Sequence, residues 1–348
     1  MSPKDFLRPR LNVLFFFLLH VLASAPGNGF AEDRQTKMAE LAKGEGGEIM
    51  AYAAMRIDTT KKIWDAFQAK YPFLIVKQYK ADTNKMLERV LTEYRAKKYL
   101  VDVLDFSGFH TEVLLERGIA DRYVSPESRH FKPIFKGKNG AWTALYYYPL
   151  TISYNTNLVP LSERPKNWPD LLDPKWKGKI GMEPDHLTWY GGILKRYGEE
   201  KGKKFMGDLA KQEPRLVRSS RGNALLSAGE FAIFIGRGHT AQIFKNKGAP
   251  IDWVKDPDPL VVQMATLQLA KNAPHPNSAK LLIDFWLSEE VAQIMAKDDR
   301  IPARTGVKGL DPAYSEIPVD KILPMPMEEL LANYKKHLRE FRSFFGAG

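Results

Sequence analysis

Polar and basic side chains follow several short apolar segments of this 348-residue chain, where each segment gives way to a predicted helix. Arg56, Thr83, Asn84 and Ser107 occupy such positions in the first part of the chain. A helix start offers free N–H groups and partial positive charge, and an arginine adds a two-pronged donor. These loops are therefore typical of sites for a carboxylate or phosphate, although each hydroxyl can instead only cap its own helix.

A denser set of candidates lies in the second part of the chain. The sequence Arg218-Ser219-Ser220-Arg221 places two guanidinium groups and two hydroxyls at a predicted strand-to-helix junction. We predict that it holds an anionic group, with one arginine on the ligand and the other a surface charge or salt-bridge partner. The remaining candidate ligand-binding residues are Tyr154, His186, Thr188, Arg237 and His239.

One motif points to a different class of protein. Gly236 and Gly238, followed by Ala241, loosely match the dinucleotide-binding fingerprint, and Asp252 lies sixteen residues after Gly236. The motif falls in mid-chain before a short helix, so a secreted dinucleotide-dependent enzyme stays a remote alternative. Gly-x-Ser-x-Gly, His-Glu-x-x-His and phosphate-loop lysine motifs are absent from the sequence. We therefore predict a protein that is not an enzyme, with no cofactor and no resident metal.

Strand and helix patterns alternate along the chain and would position these loops. This alternation predicts an α/β fold with parallel strands. Asp58 or Thr59 is predicted to cap one helix, and Asp82 or Thr83 the next. The predicted strands are 48–54, 73–79, 100–104, 179–182, 215–217, 231–235 and 251–254.

Two longer apolar runs, 142–154 and 261–270, are predicted to cross between two lobes and leave a cleft between them. Strand alternation sends Tyr146 and Tyr148 to one side of the first run and Tyr147 to the other. The predicted organisation is a signal peptide (1–31), the first lobe (32–148), the second lobe (149–258), and a return to the first lobe with C-terminal helices (259–348).

The N-terminus has the features of a secretory signal. A basic start precedes an apolar run at 11–23, and small residues follow at Gly29 and Ala31. The run is shorter than the roughly 20 residues that a membrane-spanning helix needs. We predict cleavage near Glu32 and export to a bacterial periplasm, with an uncleaved membrane anchor as the competing interpretation.

Composition narrows the function classes further. The absence of cysteine excludes a disulfide scaffold, a cysteine zinc site, an iron–sulfur cluster and a Cys-linked lipid anchor. The net charge is +11, and loss of residues 1–31 removes three basic groups and one acidic group to leave +9. Because lysine and arginine are spread among acidic residues, we predict no nucleic-acid partner. The expected protein is a soluble monomer that binds a small anionic ligand.

Several stretches resemble a known family. Residues 167–180, with Trp168, Pro174 and Trp176, are the most specific, and 154–157, 227–232, 275–277 and 283–290 support them. The chain resembles the periplasmic solute-binding components of ABC importers, in the branch that holds ferric-ion-binding proteins and relatives for organic anions. The resemblance implies a two-lobed, type II-like periplasmic-binding-protein fold that delivers its ligand to an inner-membrane permease.

The same resemblance bears on the choice between iron and an anion. Ferric-binding relatives use two adjacent tyrosines shortly after the strand equivalent to 231–235. Here that place holds Gly236, Arg237, Gly238, His239 and Thr240, without tyrosine. A ferric ion prefers hard anionic oxygen ligands. We therefore predict an anionic ligand, and ferric ion or a ferric complex remains the alternative.

Overall fold

The chain is described by a computed structural model that covers residues 26–81, 83–184, 186–309 and 311–346. Residues 1–25, most of the predicted signal peptide, and Asp82 lie outside the described residues. The side chains of 26–33, Ser219, Ser220 and Ser315 are likewise outside it. Within the described part, every helix is too short or too polar to cross a membrane.

The first part of the chain forms three parallel strands flanked by amphipathic helices. Strand β1 lies between β2 and β3, and it is parallel to both. Ile63 and Phe67 of the second helix are fully buried, as their helical spacing predicts. The elements are α1 (Pro26–Lys43), β1 (Glu48–Ala53), α2 (Ile57–Lys70), β2 (Ile75–Tyr79), α3 (Thr83–Arg95), β3 (Val103–Ser107), α4 (His110–Glu116) and β4 (Ala120–Asp121).

A long strand, β5 (Thr143–Asn155), then leads into a second set of parallel strands and helices. All thirteen of its residues are buried. Strand β6 lies between β7 and β8 and is parallel to both. The elements after β5 are β6 (Ile180–Met182), α5 (Leu187–Tyr197), α6 (Glu199–Ala210), β7 (Arg215–Leu216), α7 (Ser219–Ser227), β8 (Ile233–Arg237), α8 (Gly238–Asn246) and β9 (Ile251–Trp253).

The last part of the chain returns along a second long strand. This part holds β10 (Val261–Ala270), α9 (Pro276–Trp286), α10 (Glu289–Lys297), β11 (Ile301–Pro302) and α11 (Met327–Phe345). Strand β10 is antiparallel to β3 on one side and to β5 on the other. The first half of β5 pairs with β10, and its last six residues pair with β8 and β9. The two predicted crossing runs are thus β5 and β10, the central pair of strands that joins the two halves of the sheet.

Sheet order through the centre is β2-β1-β3-β10-β5-β8-β6-β7. The parallel strands on each side of the β10–β5 pair form separate lobes, which confirms the predicted α/β class. Their exact boundaries in the chain stay a prediction. Helix α11, placed with the first lobe in that prediction, packs mainly on α5 and α6 and also reaches α4.

Two local predictions are wrong. Asp58 does not cap α2, because the helix begins at Ile57 and Asp58 lies within its first turn, paired with Arg56. The third strand runs over Val103–Ser107 instead of 100–104. Leu100 is 48% exposed, whereas Asp102 is fully buried and accepts hydrogen bonds from the backbone N–H groups of Met50 and His275. Because Asp102 is held by these hydrogen bonds, the strand begins at Val103, three residues after its predicted start.

The aromatic residues singled out in the sequence are packed in the core. Trp168 and Trp176 are buried, and the indole N–H of Trp168 donates to the carbonyl of Pro259. Tyr147 stacks on Phe135, on the opposite face of β5 from Tyr146 and Tyr148. The alternation of the three tyrosines therefore follows the pleat of the strand.

A half-buried cap at the start of α9 gives a test of stability. The Glu45 carboxylate accepts from the backbone N–H groups of Asn277 (3.0 Å) and Ser278 (2.9 Å). Burial raises the pKa of Glu45, but these hydrogen bonds outweigh it and leave the pKa below its usual value. The stabilisation is therefore present above the unfolded-state pKa and is lost as the pH falls through the folded-state pKa.

We expect Glu45→Ala to lower the free energy of unfolding by about 1–2 kcal/mol at neutral pH, and by less in acid. Chemical denaturation at two pH values measures the difference. Glu40→Ala, an exposed position on α1 that pairs only with Lys43, is the control. Equal losses from both substitutions would contradict the role of Glu45.

Candidate functional site

A cavity of about 370 Å³ opens where the carboxyl ends of strands from both lobes meet. Helix N-termini surround it, as expected for ligand sites in open α/β sheets. Its first-lobe wall is formed by Thr83, Asn84, Ser107, Gly108, Phe109 and His110. Its second-lobe wall is formed by Glu183, Pro184, His186, Leu187, Thr188, Leu216, Arg218 and Arg237. Gln263 of β10 and Tyr334 of α11 complete the lining.

Seven of the residues proposed from the sequence line this cavity. They are Thr83, Asn84, Ser107, His186, Thr188, Arg218 and Arg237. Thr83 is the first residue of α3, Ser107 is the last of β3, and Arg218 directly precedes α7. The expectation that polar residues after strand ends share one edge of the sheet is thus met by residues that lie far apart in the chain.

The other proposed residues lie elsewhere in the structure. Arg56 is exposed and pairs with Asp58, and Tyr154 is buried. Arg221 lines a separate surface depression beside α7 that Arg218 also borders. His239 is buried behind the cavity wall, with its ring 4.8 Å from that of Tyr148. Ser219 and Ser220 start α7, but their side chains lie outside the described part of the structure.

The first-lobe wall is organised by His110, which belongs to no sequence motif. Its Nδ1 donates to the carbonyl of Ser107 at 2.9 Å, and its Nε2 lies 2.7 Å from Oδ1 of Asn84. The ring also stacks on Phe109 at 4.3 Å, and Phe109 lies 4.2 Å from the ring of Tyr334. These contacts fix the loops after β3 and before α3 relative to each other.

The second-lobe wall carries a fixed cation. Nη2 of Arg237 lies 3.0 Å from Oε1 of Glu183, and its guanidinium carbon lies 5.2 Å from the centre of the Tyr148 ring. Tyr148 and Glu183 raise the pKa of Arg237, although burial opposes them. Arg237 is therefore held by an ion pair and a cation–π contact while it still faces the cavity. Arg218 is exposed, and among the described residues no carboxylate lies within ion-pairing distance of it.

His186 lines the same wall in a different state. Its side chain is 6% exposed, and within the described structure neither ring nitrogen has a hydrogen-bond partner. Burial is the largest cause that lowers its pKa; Glu183, at 3.7 Å, partly opposes burial, Arg237 adds to it, and the net pKa is about 4. The imidazole is thus neutral near pH 7 and offers one donor and one acceptor to whatever fills the cavity.

Two buried tyrosines lie on one face of β5 beside the cavity-lining residues Gln263 and Arg237. Gln263 is opposite Tyr148 in the β5–β10 register, and Ala265 lies between Tyr146 and Ser107. Tyr146 and Tyr148 have ring centres 6.5 Å apart on this face. Burial raises the pKa of both phenols. The guanidinium carbon of Arg300, just before β11, lies 5.0 Å from the centre of the Tyr146 ring.

The glycine motif has a packing explanation. A Cβ atom on Gly238 would come within 2.9 Å of the Trp253 ring and 3.0 Å of Pro149. Asp252, the residue that would hold a ribose in the dinucleotide interpretation, is paired with Lys245 and Lys255. The glycine therefore permits close packing of α8, and the acidic group is already neutralised.

Comparison with known proteins places this geometry in context. Residues 99–319 match the family model of the bacterial extracellular solute-binding proteins. A Haemophilus influenzae protein of uncharacterised function is 23% identical over 248 residues, 69% of this chain and 71% of that protein. A Salmonella typhimurium protein, provisionally named a 2-aminoethylphosphonate-binding periplasmic protein, is 24% identical over 215 residues. That match spans 58% of this chain and 63% of the Salmonella protein, less than two thirds of its length.

Solved structures share the whole fold. Iron-bound HitA from Pseudomonas aeruginosa superposes with a TM-score of 0.74 at 20% identity, covering 85% of this chain and 99% of that one. AfuA from Actinobacillus pleuropneumoniae, with exogenous fructose-6-phosphate bound, gives a TM-score of 0.72 at 20% identity, covering 86% and 98%.

These likenesses confirm the two-lobed periplasmic-binding fold that the sequence resemblance predicted. The iron and the sugar phosphate are ligands of those two proteins. With well over half of its residues matched by the family model and a cavity between its two lobes, this chain belongs to the bacterial extracellular solute-binding proteins, the binding components of ABC importers.

Proposed function

We propose that this protein captures a small anionic solute, of the carboxylate, phosphate or phosphonate type, in the cavity between its lobes. It then delivers the solute, as a periplasmic monomer, to an inner-membrane permease. The observation that carries the proposal is the charge of the second-lobe wall, where Arg218 and Arg237 line the cavity and Glu183 is the one carboxylate among the lining residues that the structure describes. Guanidinium groups bind carboxylates and phosphates through paired, charge-assisted hydrogen bonds.

Binding rather than chemistry is the expected outcome in this cavity. A solute that touches Thr83 or Ser107 on one wall and Arg218 or Arg237 on the other makes all its contacts only when the walls are close. Such a ligand shifts the equilibrium towards the closed form by its difference in affinity for the two forms. The relatives named for a phosphonate or holding a sugar phosphate support an anion of this kind.

Iron is the second candidate, because several structural neighbours are ferric-binding proteins and two tyrosines lie on β5 beside the cavity-lining Gln263. Two features favour an anion instead. The family resemblance implies adjacent tyrosines in the loop after β8, where this chain has Arg237, Gly238 and His239. Burial also raises the pKa of Tyr146 and Tyr148, which disfavours the phenolate form that a ferric ion binds.

The two arginines flanking the start of α7 provide a matched pair for testing the anion site. We expect Arg218→Gln to weaken anion binding about tenfold or more, since a hydrogen bond to a charged group is worth about 1.5–3 kcal/mol. Arg221→Gln, which removes the same charge outside the cavity, should leave affinity within about twofold of the unaltered protein. Calorimetry against inorganic phosphate, phosphonates and organic acids measures both, and the reverse order would move the site to Arg221.

Protonation of His186 gives a second test. Because burial lowers its pKa to about 4, we expect its NMR resonances to stay those of neutral imidazole from neutral pH down to pH 5. A histidine with a depressed folded-state pKa stabilises the fold above its unfolded value, near 6.5, and this stabilisation is lost as the pH falls further. In His186→Gln, the free energy of unfolding should therefore fall less steeply as the pH is lowered. A midpoint near 6.5 in the folded protein would contradict the buried, neutral state.

Ferric ion is tested directly by absorbance. Addition of ferric citrate to the purified protein should give no phenolate-to-iron charge-transfer band in the visible range. A strong band that disappears in Tyr146→Phe and Tyr148→Phe would reverse the order of the two candidates. Native mass spectrometry of protein isolated from its own periplasm then identifies the solute by mass.

A further inference from the structure

Three aromatic side chains form a continuous cluster along one side of the cavity. The centre of the Phe109 ring lies 4.3 Å from that of His110 and 4.2 Å from that of Tyr334. Phe109 directly precedes α4, His110 is the first residue of that helix, and Tyr334 lies on α11. All three residues line the cavity and are half-buried. We refer to these three residues as the ring cluster.

The ring cluster differs in exposure from the aromatic residues of the core. Phe106 of β3, three residues before Phe109, is fully buried. The rings of the cluster line the cavity and keep part of their surface uncovered. Apolar surface in contact with water is unfavourable, and free energy is gained when a ligand covers it. Aromatic side chains in such a position are typical of the part of a pocket that receives the apolar body of a ligand.

His110 contributes its ring to this surface rather than its nitrogen atoms. Nδ1 is hydrogen-bonded to the carbonyl of Ser107, and Nε2 lies 2.7 Å from Oδ1 of Asn84. Both polar atoms of the imidazole are thus engaged within the first-lobe wall. Phe109 adds a phenyl ring without any polar atom, so this part of the wall presents mainly aromatic carbon.

The charged groups lie on the other side of the cavity. Among the lining residues that the structure describes, a carboxylate or guanidinium is carried by Glu183, Arg218 and Arg237, which all belong to the second-lobe wall. The described lining residues of the first lobe and of α11 carry neither group. The cavity therefore has a charged side and an aromatic side.

The cavity is also larger than an anionic group alone requires. Its volume is about 370 Å³. One water molecule takes about 30 Å³ of liquid, and a carboxylate or phosphonate group takes the room of only a few waters. A solute whose anionic group binds the arginines thus has room for a second, larger part that reaches the ring cluster.

Resting on the proposed function, we propose that the solute is an aromatic anion. Its anionic group binds Arg218 and Arg237, and its ring packs against Phe109 and Tyr334. Aromatic rings attract one another in offset-stacked and edge-to-face arrangements, which adds to the gain from burial. An aliphatic anion of the same charge meets the same arginines but leaves the ring cluster uncovered, so it binds more weakly.

Two series of probes test this proposal. One consists of benzoate, cyclohexanecarboxylate and acetate, and the other of phenylphosphonate, cyclohexylphosphonate and methylphosphonate. Affinities are compared only within a series, so a preference for one head group does not enter the comparison. NMR titration of the mature protein at about pH 9, where both kinds of head group are fully ionised, measures them.

In the series that binds, we expect the phenyl compound to bind about tenfold or more tighter than the methyl compound, because it buries more apolar surface. We expect it to bind about two- to tenfold tighter than the cyclohexyl compound, which has a similar size but lacks an aromatic face. This second ratio separates an aromatic site from a merely apolar one.

Substitutions in the ring cluster identify the residues that provide the preference. In Tyr334→Leu and in Phe109→Leu, the phenyl and cyclohexyl affinities should come within about twofold of each other. A residue that only holds the two walls together would weaken all probes by the same factor and leave this ratio unchanged. Tyr99→Leu removes an exposed ring that packs on Tyr94 away from the cavity, and it should change neither ratio. Thermal melting checks the folding of each variant.

The outcomes separate the two proposals. Equal affinity for the phenyl and cyclohexyl compounds, or a preference that persists in both cluster variants, overturns the aromatic proposal and leaves the anion site at Arg218 and Arg237 in place. The ratios of the unaltered protein decide this even where a variant is unstable. Failure to bind either series, inorganic phosphate or any other organic acid overturns the proposed function itself, and the aromatic proposal with it.

Discussion

The pairing of β5 with β10 is the interaction on which both the fold and the cavity depend. Each strand borders one lobe on its outer side, β10 through β3 and β5 through β8, so the ladder between them joins the two lobes. Buried backbone groups must be paired, which makes this register costly to change. A shift of β5 by one residue would exchange the face that carries Tyr147 with the face that carries Tyr146 and Tyr148. The register of this ladder therefore decides which side chains of β5 lie beside Gln263 and Arg237 of the cavity wall.

The two arginines of the second-lobe wall are prepared for a ligand to different degrees. Arg237 is already fixed by Glu183 and by the ring of Tyr148, so little conformational freedom remains for it to lose. Arg218 is exposed, and ordering it costs on the order of 0.5–1.5 kcal/mol of the gross interaction. Glu183 thus lowers the net charge of the wall while it orients one of the two arginines that supply its positive charge. This division suits the proposed site, which would bind an anion and later release it.

Sequence reasoning located the part of the site that follows from local rules. Thr83, Ser107 and Arg218 were found because polar residues after strand ends share one edge of a parallel sheet. Glu183, Gln263 and Tyr334 were missed, because their place depends on β8, on the β5–β10 register and on a helix near the chain's end. The third strand was misplaced because the burial of Asp102 comes from contacts with Met50 and His275, distant in the chain.

Helix α11 has a consequence for the resting protein. Ion pairs of Lys195 with Glu329 (2.6 Å) and Lys336 with Glu199 (2.8 Å) tie it to the second lobe. At the mouth of the cavity it meets the first lobe through Tyr334, whose ring lies 4.2 Å from that of Phe109. Any separation of the walls must part these rings, and such a pair is worth about 0.5–1.5 kcal/mol. The empty protein is thereby biased up to about tenfold towards its compact form, which reduces the conformational cost paid at capture. The permease must supply this same free energy of ring separation when it opens the two walls to release the solute.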